Sequence, residues 1–145
     1  MATTTAAISL SSDITDSNVS VSNTANLNTA GTTTGLNTMT SVTKVLSSTD
    51  DVDLITTGSV STTHAYVYIN NPSTDNTEFF HIKIGAAKGS SGYDAETIGS
   101  GTEPDEEIGR LYGGDWMFIP WDVDDDITIK PSVSTDMTVE YMVFS

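Results

Sequence analysis

Cysteine is absent from this 145-residue chain, and so is glutamine. The first absence excludes a disulfide scaffold, thiolate metal sites and a cysteine nucleophile, and leaves the redox compartment open. Basic residues are nearly missing too: Lys44, Lys83, Lys88, Arg110 and Lys130 face twenty carboxylates, a net charge of −15. Direct nucleic-acid binding is excluded on that balance, because neutralising phosphates needs clustered Lys and Arg. Anionic membranes are repelled for the same reason. The plain consequence of such acidity is solubility, with a specific cationic partner as the alternative. "MATTTAAISL" has neither a basic leader nor a long apolar run, so no secretory signal is expected there. No stretch approaches the length of a membrane span. The expectation is a protein made in the cytosol that reaches any outside location by another route.

Catalytic constellations are missing as well. His64 and His81 are the only histidines, fewer than the protein ligands a zinc site takes. No GxSxG elbow, P-loop, GxGxxG turn or Ser-His-Asp spacing occurs, although Gly and Ser abound. The chain is therefore expected to be neither an enzyme nor the holder of a cofactor.

What the chain has is serine and threonine, 18 and 24 residues, which fill the space left by a 37% apolar and 17% charged content. Threonine favours strands and serine favours turns, while strong helix formers are scarce. The reading is all-β, in one domain long enough to bury a core without staples. Residues 1–50 form a Thr/Ser-rich N-terminal part, read as strands or as an arm that orders on a partner, and 51–145 form the core. In the first part Ile8 and Leu10 alternate with serines, as do Val19 and Val21, both at period two. Gly31 and Gly35 punctuate a turn or wide loop after them.

From residue 52 the alternation sharpens. "VDLITTG" and "HAYVYIN" read as strands, the second with Ala65, Val67 and Ile69 on one face and Tyr66 and Tyr68 on the other. "FFHIKIG" sets Phe80, Ile82 and Ile84 against Phe79, His81 and Lys83. The turn-rich "NNPSTDN" between these runs predicts an antiparallel hairpin. Residues 86–109 show no period and read as an exposed loop with a helical turn near Glu106. "DITIKPSV" turns Ile127 and Ile129 inward. "MTVEYMVF" alternates Met137, Val139, Tyr141 and Val143 with Thr138, Glu140, Met142 and Phe144. About eight strands with turn signals between them describe an antiparallel β-sandwich, jelly-roll-like.

Two acidic clusters invite chemistry. Asp122, Asp124 and Asp126, with Asp125 among them, form an oxygen-rich turn that is a Ca²⁺ candidate. Yet Ile127 and Val133 stand where an EF-hand needs Gly and Glu, and a solvated acidic turn is the expected alternative. Glu103, Asp105, Glu106 and Glu107 offer paired carboxylates, but in a Gly/Ser loop with nothing to desolvate them or separate their pKa values.

"LYGGDWMFIPW" holds four of the eleven aromatics, Tyr112, Trp116, Phe118 and Trp121. As a strand it places Trp116, Phe118 and Pro120 on one face and Met117, Ile119 and Trp121 on the other. Both faces are apolar, so both need cover, from the domain's own loops or from another subunit. The stretch is read as a core strand and subunit interface built on Tyr112, Trp116, Met117, Phe118, Ile119 and Trp121. Sugar stacking on the rings is the second reading.

From His64 onward the succession "HAYVYINN", "FFHIKIG", a variable loop, "GRLYGGDWMFIPW" and "ITIKPSVSTDMTVEYMVF" resembles a group of small β-sandwich virion proteins of tailed phages, notably those of marine bacteria. The carrying motifs are the "IGRLYGGDW" lead into an apolar strand and the terminal "TVEYM". Residues 1–50 match only in being Thr/Ser-rich. The group often has Pro-Gly where this chain has Gly113-Gly114, which touches a turn alone. The resemblance implies a virion structural protein, most simply a capsid decoration (cement) protein. It would be made in the host cytoplasm, sit on the capsid surface as a homo-oligomer, and bind the major capsid protein or other virion proteins. The alternative is a receptor- or glycan-binding module of a tail fibre or knob. No catalytic residue comes with the resemblance.

Overall fold

The computed structural model describes residues 3–12, 19–29, 31–60, 62–85 and 107–145. By its internal contacts the chain divides into two units, Met1–Thr38 and Met39–Ser145. No helix among the described residues is long and apolar enough to cross a membrane.

The first unit is a hairpin of β1 (Thr4–Ser12) and β2 (Val19–Leu27). Its ladder runs without a shift from Thr4↔Leu27 to Ser12↔Val19. The period-two pattern of Ile8, Leu10 and Val21 is realised: Leu10 lies directly opposite Val21. A bridge between Asn28 and Gly35 closes the turn that follows. Gly31 adopts φ +69° there, and the Thr29 N–H bonds to the Thr34 carbonyl at 2.8 Å. That left-handed step is the reason for a glycine at this position.

The second unit has eight strands: β3 (Met39–Leu46), β4 (Val52–Ile55), β5 (Ala65–Asn70), β6 (Phe79–Ile84), β7 (Glu107–Tyr112), β8 (Trp116–Trp121), β9 (Ile127–Pro131) and β10 (Met137–Phe144). They form two four-stranded sheets, in the orders β3-β10-β5-β8 and β4-β9-β6-β7. Every pairing is antiparallel. The pairs are nested: first strand with last, second with seventh, third with sixth, fourth with fifth. β3, grouped by its sequence with the N-terminal part, pairs along its whole length with β10. The expected all-β class with antiparallel sheets is what the chain adopts.

One continuous core draws on both sheets. Val67, Ile69 and Val139 from the first, and Phe80, Ile82, Ile127 and Ile129 from the second, are all but inaccessible to solvent. Each such side chain contributes about 1.5–3 kcal/mol over its exposed state. The inward faces read from period two in β5, β6, β9 and β10 are therefore correct.

The expected β5–β6 hairpin is not. β5 pairs with β10 and β8, and β6 with β9 and β7, so consecutive runs lie in different sheets. Alternation says which face of a strand is buried. It does not say whether its chain neighbour lies beside it or across the core. The loop after β6 is also shorter at its end than the sequence suggests, because Glu107 to Gly109 belong to β7. The remainder of that loop, with Glu103, Asp105, Glu106 and the helical turn, lies outside the described residues.

Candidate functional site

Among the described residues β8 is an edge strand of its sheet, and β5, β10 and β3 lie successively beyond it. Their register aligns the side chains that point away from the core into three rows. Met39, Phe144, Tyr66 and Pro120 form the first; Ser41, Met142, Tyr68 and Phe118 the second; Thr43, Glu140, Asn70 and Trp116 the third. Directly opposed residues share a face. Their chain neighbours Ala65, Val67, Ile69, Val139 and Val143 are the buried ones, so these rows form the outer surface of the sheet.

The rings of this surface interlock. Tyr66 and Phe118 lie parallel at 6° with centroids 5.8 Å apart, Tyr68 and Trp116 are tilted at 6.0 Å, and Phe144 meets Phe118 edge-on at 6.5 Å. Offset and edge-on contacts of this kind are the favoured aromatic geometries. Solvent still reaches Met39 at 62% and Trp116 at 53%. Glu140 is the single charged residue in the three rows, and it accepts a hydrogen bond from the Asn70 amide at 3.0 Å. In a chain of net charge −15, an outer sheet face that gathers Tyr66, Tyr68, Trp116, Phe118, Phe144, Met39 and Met142 around a single hydrogen-bonded carboxylate is a concentration of apolar surface that solubility alone does not explain.

The outer side of the other sheet has the opposite character. Across it run Asp53, Thr128, Lys83 and Glu107, then Lys130, His81 and Arg110. His81 Nδ1 and Arg110 Nε contact the two Glu107 oxygens at 2.9 and 3.0 Å. Partial burial works against the Glu107 anion, but the hydrogen bonds and charges of His81 and Arg110 outweigh it and hold its pKa below the usual range. Lys83 Nζ lies 2.9 Å from Asp51 Oδ1, both side chains almost wholly buried. Phe79 packs on Tyr112 at 5.0 Å and under the Arg110 guanidinium at 5.1 Å.

The six residues singled out in "LYGGDWMFIPW" are thus divided among three places. Trp116 and Phe118 belong to the outer aromatic surface. Trp121 is buried in the core, with Met117 and Ile119 packed against it. Tyr112 stands on the ion-paired sheet beside Phe79. Tyr66, Tyr68, Met142, Phe144 and Met39 complete the aromatic surface and were not singled out from the sequence. Their signal was the same alternation: β5 and β10 carry apolar residues on both faces, as β8 does.

The acidic turn joins β8 to β9. Trp121 Nε1 donates to the Asp125 carbonyl at 2.8 Å, and Val123, at φ +67°, turns its side chain into the core. Asp126 Oδ1 accepts the Thr57 N–H at 2.7 Å, while Asp122 Oδ1 accepts the Asp124 N–H at 3.3 Å. Asp122 and Asp124 are exposed. Among the described residues no three acidic or histidine side chains converge as metal ligands would. His64 packs edge-on to Tyr66, whereas His81 sits in the other sheet, so the two are not cross-strand neighbours. No protein-family model, curated protein or solved structure matches this chain.

Proposed function

We propose that the chain is a structural binding protein that works by burying the outer face of the β3-β10-β5-β8 sheet against another protein. The observation that carries this is the charge-poor aromatic and methionine surface around Tyr66, Tyr68, Trp116 and Phe118. Interface cores are depleted in charge and enriched in aromatics and Met, and buried Tyr and Trp dominate the binding energy of many interfaces.

The eight-stranded unit is read here as a jelly-roll sandwich. Its support is the nested pairing, first strand with last through fourth with fifth, which is that of one long hairpin rolled into two sheets. Jelly rolls occur in viral capsid proteins, lectins and cupins. Of these settings, the resemblance of His64–Ser145 to small phage virion proteins favours the first. The proposed role is a capsid decoration protein that stabilises the shell by binding coat subunits, with no chemistry of its own.

A tail-fibre or knob module that binds receptors or glycans is the second reading. Trp116 supports it, since it joins a half-exposed ring to the polar Asn70 and Glu140 in its row. Tyr66 and Phe118 speak against it, because each lies against its neighbours and leaves little free ring face for a sugar.

The test is co-sedimentation with empty shells assembled from tailed-phage coat protein. Wild type is expected to pellet with shells. A Tyr68→Ser/Phe118→Ser variant is expected to bind at least tenfold more weakly, in keeping with losses of about 2 kcal/mol or more at interface anchors. Its core side chains are untouched, so it stays folded. Equal binding by the variant would refute the docking face. Glycan-array binding by wild type, lost in Trp116→Ser alone, would establish the second reading instead.

A further inference from the structure

A different feature, independent of the docking reading above, lies in the N-terminal unit. The β1–β2 hairpin has no third strand among the described residues, and a lone two-stranded hairpin is marginal in water. One of its faces carries Ile8, Leu10 and Val21, which are 47%, 59% and 52% exposed. Natural sheet edges are usually guarded by lysine, proline or a bulge. β1 has none of these: its sequence is TTAAISLSS, and its ladder runs without a shift.

We propose that β1 pairs antiparallel with β1 of a second copy of this chain, across a two-fold axis at Ile8, to make a four-stranded sheet in the order β2-β1-β1-β2. Ile8 is the midpoint of Thr4–Ser12, so the strand overlays its reversed self with no overhang. Ile8 then opposes Ile8, Leu10 opposes Ala6 and Ser12 opposes Thr4. An axis on a residue preserves the even-odd alternation, which keeps Ile8 and Leu10 of both copies on one face; an axis between residues would put them on the face that carries Thr5, Ala7, Ser9 and Ser11 of the other copy. The midpoint of β2 is Asn23, which would oppose a second amide on that face, so β1 is the favoured edge.

Charge selects the partner. Whole chains at −15 repel one another, yet neither Thr4–Ser12 nor Val19–Leu27 contains a charged residue. Two copies can therefore pair strand to strand without setting any charged residue of either strand against another. A closed, self-complementary two-fold contact is the commonest form of assembly. Four strands with an apolar face also pass the size at which a sheet is stable alone. Screening the rest of the chain with salt strengthens the pairing.

Sedimentation equilibrium of the full chain tests this. Wild type is expected to be a dimer that tightens as salt rises. Ile8→Lys and Ile8→Glu each place like charges against each other at the axis and weaken the dimer at least tenfold. A one-to-one mixture of the two restores it as a heterodimer, because residue 8 opposes residue 8. That rescue separates lost pairing from a hairpin that fails to form. A monomeric or trimeric wild type, a dimer indifferent to both substitutions, or a mixture that stays monomeric would each overturn the proposal.

Discussion

Lys83→Met is expected to lower the stability of the eight-stranded unit by about 3–5 kcal/mol, the usual cost of removing one member of a buried ion pair. Lys83 Nζ and Asp51 Oδ1 are 2.9 Å apart with side chains only 8% and 6% exposed. Taking away the cation leaves the Asp51 carboxylate in a site with little water to solvate it. The double variant Asp51→Asn/Lys83→Met removes both charges and is expected to recover more than half of the loss. Urea unfolding reads both effects as shifts in midpoint at constant slope. A loss under about 1 kcal/mol for Lys83→Met is what a solvated surface pair gives, and would contradict the burial of this one. Beside this pair the buried Thr128 hydroxyl donates to the Gly85 carbonyl, with Asp53 Oδ1 3.3 Å from the same oxygen.

Gly113→Ala is expected to cost stability at the upper end of about 1–3 kcal/mol, the range for overpacked sites. A β-carbon at Gly113 would strike the Asp75 carbonyl oxygen, with the carbonyl carbon at 2.8 Å and the Ser73 oxygen at 2.9 Å. All three are backbone atoms, which cannot swing aside as a side chain does. They are also held in place. The connection after β5 and the turn between β7 and β8 are tied through Asn71, which is wholly buried. Its amide donates to the Leu111 carbonyl at 3.0 Å, its N–H to the Asp115 carbonyl at 3.0 Å, and its carbonyl accepts from Gly114 at 2.9 Å. Gly114 is required for another reason, a backbone φ of +85°, so Gly114→Ala strains the chain without a clash. Thermal melts of the two variants check the difference. An unchanged melt for Gly113→Ala would show that the two connections are not locked together.

These two sites mark where sequence reasoning stops. Strand existence and inward faces were legible because period two is a direct consequence of a sheet with one buried side. Val67, Ile82, Ile129 and Val139 could all be placed that way. Sheet membership was not legible. β5 and β6 each show one buried face and are joined by a turn-rich segment, which suits a hairpin and a crossover between sheets equally. Lys83 alternates with Ile82 and Ile84 and so reads as a solvated residue. Its burial depends on Asp51, which is remote in sequence. Asn71 and Gly113 look like ordinary turn residues for the same reason: each is constrained by a segment about forty residues away. The aromatic surface was half legible. Apolar residues on both faces of β8 announced a need for cover, and the register then joined Trp116 and Phe118 to Tyr66, Tyr68, Met142 and Phe144.

We propose that another protein covers this aromatic surface. If the chain is the capsid decoration protein proposed above, electron microscopy of the phage particle shows it and its neighbours together. The expected result is density for the eight-stranded unit on the outside of the head, with Tyr68, Trp116 and Phe118 pressed against a coat subunit. Density in which those three side chains face open solvent would refute the docking face, as would particles that lack the chain.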